Sequence, residues 1–244
     1  MRPFLLLATR ADDDVADEEY ETVLRFSGLP ESGLHRVRLE AGPMPPIDLE
    51  RYSGVLVGGS PFNSSDPPEL KPEVQRRAEA GMRELLDEVV ARDFPFLGAC
   101  YGVGTLGTHQ GAVVDRSRGE DIGIVEVSLT EEGRKDPLLE GFPPTFHGFV
   151  GHKEGTHTLA PSAVLLATGA ACPVQMFRVR QNLYATQFHP ELDAAALVNR
   201  IEAYKDHGYF PPSEAEAVKD RVRRGATVTE PQKLLAAFAD RYAR

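Results

Sequence analysis

The segment Phe94-Pro-Phe-Leu-Gly-Ala-Cys-Tyr-Gly-Val-Gly constrains this chain more than any other. A short apolar run breaks off in glycines, and Tyr101–His109 then reads as a helix. A buried strand that passes through a tight turn into a helix is a unit of α/β folds. The same form occurs earlier, where Tyr52-Ser-Gly-Val-Leu-Val ends in Gly58-Gly59-Ser60-Pro61. Pro3–Thr9 reads as a buried first strand, Asp17–Phe26 as a helix with acidic residues in its first turn, and His35–Leu39 as a further strand. Glu69–Ala91 carries a long helical periodicity. Strands alternating with helices predict a mostly parallel central sheet with helices on both faces. In such sheets functional residues gather at the carboxyl ends of strands. Gly58-Gly59 and Gly98–Gly102 both fall at such ends.

The middle of the chain changes character. Gly111–Leu129 and Val174–Gln187 read as a small additional β segment, with apolar alternation through Val113, Ile122, Ile124, Val125 and Val127. The stretch between them holds Gly141, Pro143, Pro144, Gly148 and Gly151 and reads as loop. Beyond Glu191 the pattern is helical over Ala194–His207, Glu214–Arg224 and Pro231–Tyr242. A length of 244 residues and 41% apolar content suit one large α/β domain. Residues 1–210 form that domain in this reading, and residues 211–244 a helical extension packed on it.

A formal charge of −10 argues against a nucleic-acid partner, because phosphate binding needs clustered Lys and Arg. The basic run Lys219–Arg224 is interleaved with acid and reads as a solvated helix face. Phe4–Ala8 is too short for a signal core or a bilayer span, so neither secretion nor a membrane is expected and the location reads as cytoplasmic. The two cysteines, Cys100 and Cys172, make no disulfide framework and lack metal-site spacing. A reducing compartment with one reactive thiol fits, and neither a metal nor a cofactor is called for.

Gly98-Ala-Cys100-Tyr-Gly102 has the form G-x-C-x-G. A nucleophile on a sharp strand-to-helix turn sits in strained backbone geometry, and side chains two residues to either side would clash. The turn lifts the thiol above the sheet and puts it at a helix N-terminus, where the dipole favours negative charge. The Tyr101 N–H then points toward a developing oxyanion. Alone, the pattern equally fits a glycine-rich turn around a buried cysteine; the apolar strand before it and the helix after it favour the elbow.

The second element is Ala185-Thr-Gln-Phe-His-Pro-Glu-Leu-Asp. His189 falls where a strand ends, Pro190 suits a first helical turn, and Glu191 follows at once. A catalytic His needs a carboxylate or carbonyl on one ring nitrogen so that the other is ready for proton transfer. The third element, Gly58-Gly59, lets the backbone approach a ligand closely and aim an N–H at it.

Together these elements resemble the class I glutamine amidotransferase family, most of all the amidotransferase domain of GMP synthetase and its stand-alone relatives. The likeness runs from about Val55 to Asp193, and the first strand fits as well. Leu159-Ala-Pro-Ser-Ala-Val-Leu-Leu-Ala-Thr and Cys172-Pro-Val-Gln-Met-Phe-Arg are similar to the family's approach to its histidine. The resemblance implies a flavodoxin-like fold. It implies Cys100 as nucleophile, His189 as general base and then acid, Glu191 as its orienting carboxylate, and Gly59 and Tyr101 as oxyanion-hole donors. Gly58, Gly104, His152 and Gln187 are the expected substrate-binding positions, and Cys172 a structural one.

Two positions depart from the family pattern. The family has Gln two residues beyond the elbow's last glycine, where this chain has Gly104, and Gln110 stands too far along the helix to replace it. A Ser-His-Gly-Asp loop is replaced by Gly151-His152-Lys153-Glu154. Both bear on the substrate rather than on the nucleophile. The first expectation is therefore an amidotransferase subunit that hydrolyses glutamine and passes ammonia to a separate synthetase subunit, since no P-loop motif is present and no synthetase domain fits in this length. The alternative is a γ-glutamyl peptidase or hydrolase with a remodelled pocket, and a non-catalytic binding protein on the same scaffold ranks third. A homodimer is left open. An α/β-hydrolase fits less well, because its acid precedes its histidine in the chain.

Overall fold

The computed structural model describes residues 2–244. The chain runs β1 (Phe4–Ala8), α1 (Asp13–Ser27), β2 (Leu34–Arg38), β3 (Val55–Val57), α2 (Glu73–Ala91), β4 (Phe96–Ala99) and α3 (Tyr101–His109). It continues with β5 (Val113–Asp115), β6 (Glu120–Leu129), α4 (Glu131–Lys135), β7 (Thr145–His152), β8 (Gly155–Thr158), β9 (Ala163–Thr168), β10 (Met176–Val179) and β11 (Leu183–Thr186). Three helices close it: α5 (Ala194–Ala203), α6 (Ala215–Arg224) and α7 (Glu230–Tyr242).

Among the described residues, nine strands form one sheet in the order β2-β1-β3-β4-β11-β10-β9-β6-β7, while β5 and β8 pair separately. The first five strands in that order are parallel. From β11 outward the pairing is antiparallel. The expected α/β architecture, a large sheet with helices on both faces, is therefore present. The small extra β element is β5 with β8, whereas β6, β10 and β11, which the sequence reading put in it, belong to the main sheet because each pairs with its strands.

Strand period divides the core. Leu5 and Leu7 of β1 face α2 and α3, in one cluster with Val55, Val57, Phe96, Leu86 and Leu106. Phe4 and Leu6 face the other way, joining Leu56, Leu97, Val23 of α1, and Leu234, Leu235 and Phe238 of α7. A third, smaller cluster sets α5 and α6 against Phe149 of β7. The chain end is tied down as well, with the Arg244 guanidinium donating to the carbonyls of Tyr52 and Leu49. Among the described residues, no helix is long and apolar enough to cross a membrane.

The differences from the sequence reading have physical causes. The stretch expected to be loop contains β7, β8 and β9. Gly148 and Gly151 are strand residues there, not turn residues. A Cβ on Gly148 would lie 2.9 Å from Phe188 Cβ, and one on Gly151 would lie 2.7 Å from Ile122 Cγ1. These glycines record close packing, which mimics a turn signal in sequence. Helix α2 starts at Glu73 behind Pro72 rather than at Glu69. Helix α5 stops at Ala203, so Tyr204–Phe210 is a turn and not helix. Lys219 is not solvated: it is 7% exposed and its ammonium donates to Glu202 and Glu216.

Phe238 is 1% exposed and meets Phe4 at a ring-centroid distance of 5.9 Å. Phe238→Ala is expected to cost about 3–5 kcal/mol, because a buried aromatic leaves a cavity the sheet cannot collapse into. Urea denaturation read by circular dichroism checks this.

Candidate active site

Four neighbouring parallel strands, β1, β3, β4 and β11, deliver the site at their carboxyl ends. Each is followed by one of its parts: Arg10 after β1, Gly58-Gly59 after β3, Cys100 after β4, and His189 with Glu191 after β11. The register of β4 on β11 pairs Ala99 with Thr186, and the Cys100 N–H extends it by donating to Thr186 O at 2.7 Å. That ladder holds the cysteine and histidine segments side by side.

Cys100 has φ 51° and ψ −83°, a left-handed conformation that costs a non-glycine residue free energy. The turn is tight enough that a Cβ on Gly98 would lie 2.6 Å from Gly102 Cα. The steric requirement is one-sided, since a Cβ on Gly102 would meet nothing within 4 Å. Tyr101 is the first residue of α3, so its N–H has no intrahelical acceptor.

His189 is fixed from both sides. Its backbone N–H donates to Phe149 O at 2.9 Å, and its Nδ1 lies 2.7 Å from Glu191 Oε1. With Nδ1 engaged, Nε2 is the ring nitrogen left for proton transfer. Both residues are buried, His189 at 6% and Glu191 at 2% exposure. Burial works against the imidazolium, but the charges of Glu191 and Cys100 outweigh it and raise the His189 pKa to about 9. For Glu191 burial acts upward, yet His189 and then Arg200 and Arg10 hold its carboxyl well below the usual range.

A buried ion chain continues behind this pair. Arg200 of α5 donates from Nη1 to Glu191 Oε1 at 3.1 Å, and its Nη2 lies 3.9 Å from Glu19 Oε1 on α1. Arg10 donates from Nε to the same Glu19 oxygen at 2.7 Å and from Nη1 to the Tyr204 hydroxyl at 3.0 Å. None of Arg10, Glu19 and Arg200 is more than 6% exposed. The glycine pair serves this chain. A Cβ on Gly58 would lie 2.5 Å from Glu19 Oε2, and one on Gly59 would lie 2.6 Å from Arg10 Nη2 and 2.8 Å from His189 Cε1.

None of these three residues was singled out from sequence, though a signal existed. Val15, Ala16, Glu19, Thr22, Val23 and Ser27 are the buried positions of α1, and Ala196, Leu197, Arg200 and Ile201 those of α5. Each charge sits in phase with the apolar stripe of its helix, where a charge must be paired.

Cys100 opens onto two narrow cavities. One, of about 20 Å³, is lined by Cys100, Tyr101, Gly104, His152, Glu154 and Gln187, among others. The other, of about 30 Å³, is lined by Cys100, His189, Arg10, Arg200 and Tyr204, among others. Tyr209 borders both. Its segment is fastened by Lys153, whose ammonium donates to His207 O at 2.7 Å and lies 4.4 Å from the Tyr209 ring centroid. Each cavity has room for roughly one water.

Of the expected substrate positions, Gly104, His152 and Gln187 line the first cavity, whereas Gly58 lines neither and packs on Glu19. Gln187 Oε1 has no hydrogen-bond partner among the described residues. The His152 ring is already engaged, Nδ1 lying 2.8 Å from Glu154 O and Nε2 2.9 Å from Glu120 Oε2. Glu120, His152 and Cys172 bring three potential metal-ligating atoms within 4.8 Å of one another. Burial pushes the Cys172 thiol up to about 11, which keeps it protonated at neutral pH.

The space beside Gly104 is filled. A Cβ there would lie 2.3 Å from Ser64 Oγ, 2.9 Å from Ser64 Cβ and 3.3 Å from Glu154 Oε1. Glu154 in turn accepts the N–H groups of Ser64 at 2.6 Å and Ser65 at 2.8 Å.

A cysteine on a strained strand-to-helix turn and a carboxylate-held histidine thus border one cavity at the carboxyl ends of parallel strands. The family model for class I glutamine amidotransferases matches residues 36–201, and the chain belongs to that family. It is 28% identical over 166 residues to a putative glutamine amidotransferase-like protein of Salmonella typhimurium, covering 68% of this chain and 67% of that one. It is also 28% identical to one of the subunits of the glutamine-hydrolyzing GMP synthase of Thermoplasma volcanium, over 59% of this chain and 65% of that one. With the glutamine-hydrolyzing GMP synthase of Elusimicrobium minutum the match, again 28% identical, spans 61% of this chain but only 26% of the relative. In fold it is similar to a crystal structure of a glutamine amidotransferase from Thermotoga maritima, with a TM-score of 0.76 at 23% identity over 99% of this chain and 98% of the other.

Gly104→Ala is expected to destabilise the protein by about 1–3 kcal/mol through overpacking against Ser64. In a double-mutant cycle with Ser64→Gly most of that cost should disappear as a coupling energy. Equal denaturation penalties with and without Ser64 would contradict the contact.

Proposed function

We propose that the chain hydrolyses a γ-glutamyl amide through a thioester on Cys100. The Cys100 sulfur attacks the γ-carbonyl carbon while the oxyanion takes hydrogen bonds from the Gly59 and Tyr101 N–H groups. His189, having taken the thiol proton, returns it to the leaving nitrogen as the C–N bond breaks and ammonia or an amine departs. A water then attacks the thioester, His189 takes its proton, and glutamate leaves with the thiol restored. Glu191 keeps the imidazole in the useful tautomer. The observation that carries this reading is that His189, paired with buried Glu191 at 2.7 Å, borders the same cavity as the strained Cys100.

Membership of the amidotransferase family supports glutamine as substrate and, with it, ammonia delivery to a separate synthetase subunit. The lack of a glutamine side chain at Gly104, with Ser64 and Glu154 filling the space beside it, favours a second reading, in which the pocket is remodelled for a γ-glutamyl compound other than glutamine and no synthetase takes part. In either case the substrate has to reach Cys100 through the space bordered by Tyr209.

Glutamine and a set of γ-glutamyl dipeptides, incubated separately with the protein, separate the two readings by the glutamate and ammonia released. Turnover of glutamine supports the first and turnover of dipeptides alone the second. Cys100→Ala should abolish either, and unchanged turnover in that variant would overturn both. The pH profile provides a further check. The His189 pKa is raised, so the imidazolium that protonates the leaving group persists through neutral pH. On the alkaline side the rate should fall as pH rises through about 9.

A further inference from the structure

Arg10, Glu19 and Arg200 have no part in the steps above, yet all three are buried against the residues that do. Placing charges out of water is expensive unless each is compensated. In this chain the compensation is complete in sign, with two guanidinium groups alternating with two carboxylates. The arrangement is also directional. Glu191 Oε1 is shared between His189 Nδ1 at 2.7 Å and Arg200 Nη1 at 3.1 Å. Glu19 Oε1 is likewise shared, between Arg10 Nε at 2.7 Å and Arg200 Nη2 at 3.9 Å. The second oxygens of both carboxylates have no hydrogen-bond partner among the described residues. Each carboxylate is therefore held through one oxygen, and Arg200 links the two.

We propose that Arg200 and Glu19 are positioning residues that act through Glu191, fixing its orientation and setting how much of its negative charge the Cys100–His189 pair experiences. The inference rests on the Cys100–His189–Glu191 reading and extends it. Arg200 withdraws negative charge from the oxygen that faces the imidazole, and Glu19 limits that withdrawal by engaging the other side of the same guanidinium. Arg10 anchors Glu19 from the loop after β1, and Tyr204 anchors Arg10. The charged and titratable groups that bear on the pair are then Glu191 from the loop after β11, Arg200 from α5, Glu19 from α1, Arg10 after β1, and Tyr204 and Tyr209 after α5. Burial foremost, followed by the charge of Cys100, pushes the Tyr209 phenol up to about 12, so it stays neutral over the working range.

The charge logic predicts shifts of opposite sign. Removing Arg200's positive charge leaves a net negative field, which opposes the thiolate and favours the imidazolium. Removing Glu19's negative charge does the reverse. The two together cancel.

The test is the pH dependence of Cys100 alkylation by iodoacetamide, which needs no substrate. Cys172, at 0% exposure, and a Cys100→Ala control define the background. In Arg200→Gln the inflection for the coupled pair should move up by about one pH unit, and in Glu19→Gln it should move down by a similar amount. Arg200→Lys, and Arg200→Gln combined with Glu19→Gln, should bring it back near wild type. Thermal melts of every variant establish that it is folded. Folded variants whose inflections stay at the wild-type position, or shift in the same direction, would overturn the positioning role while leaving the Cys-His-Glu reading intact. Turnover retained in Cys100→Ala would instead remove that reading itself.

Discussion

Charge held out of water is the constraint on which the rest of this site depends. Arg10, Glu19, Arg200 and Glu191 lie beneath a half-buried thiol and a buried imidazole. Their alternation explains features that otherwise look unrelated. Gly58 and Gly59 are glycines because a carboxylate and a guanidinium pack directly on their backbones, where any side chain would collide. Helices α1 and α5 each carry a charge on the face that should be apolar. The loop after β1 contributes an arginine to a site whose nucleophile is some ninety positions away in the chain. A local substitution in this set is felt throughout it, because each charge is the solvation of the next.

The sheet makes that concentration of charge possible. Parallel strands bring successive loops to one edge, and here β1, β3, β4 and β11 stand side by side. The pairing of Ala99 with Thr186 fixes the cysteine and histidine segments relative to each other before any side chain is considered. Helix α7 adds a clamp from outside the parallel core: the Gln232 amide donates to Leu192 O, one residue past Glu191. Chain far from the chemistry thus holds the backbone that presents it.

Much of this was legible in the sequence, and the rest was obscured for specific reasons. Short apolar runs ending in glycine located β3 and β4, and the elbow pattern after β4 located Cys100. His189 and Glu191 were readable because they are close in sequence as well as in space. β7 was not, since Gly148 and Gly151 carry the composition of a turn while serving as points of close packing against Phe188 and Ile122. The end of α5 at Ala203 was equally hidden, because helical periodicity continues past it although the chain turns to place Tyr209 over the site. The buried ion chain joins residues from four separate elements, and no spacing rule connects them. Only the phase of Glu19 and Arg200 within their helices carried a local trace.

The contact between Gly104 and Ser64 also ties two distant positions together. A side chain at position 104 needs space that Ser64 and Glu154 occupy. Neither position can therefore be redesigned alone: any larger residue at 104 requires the loop at 64 to give way with it.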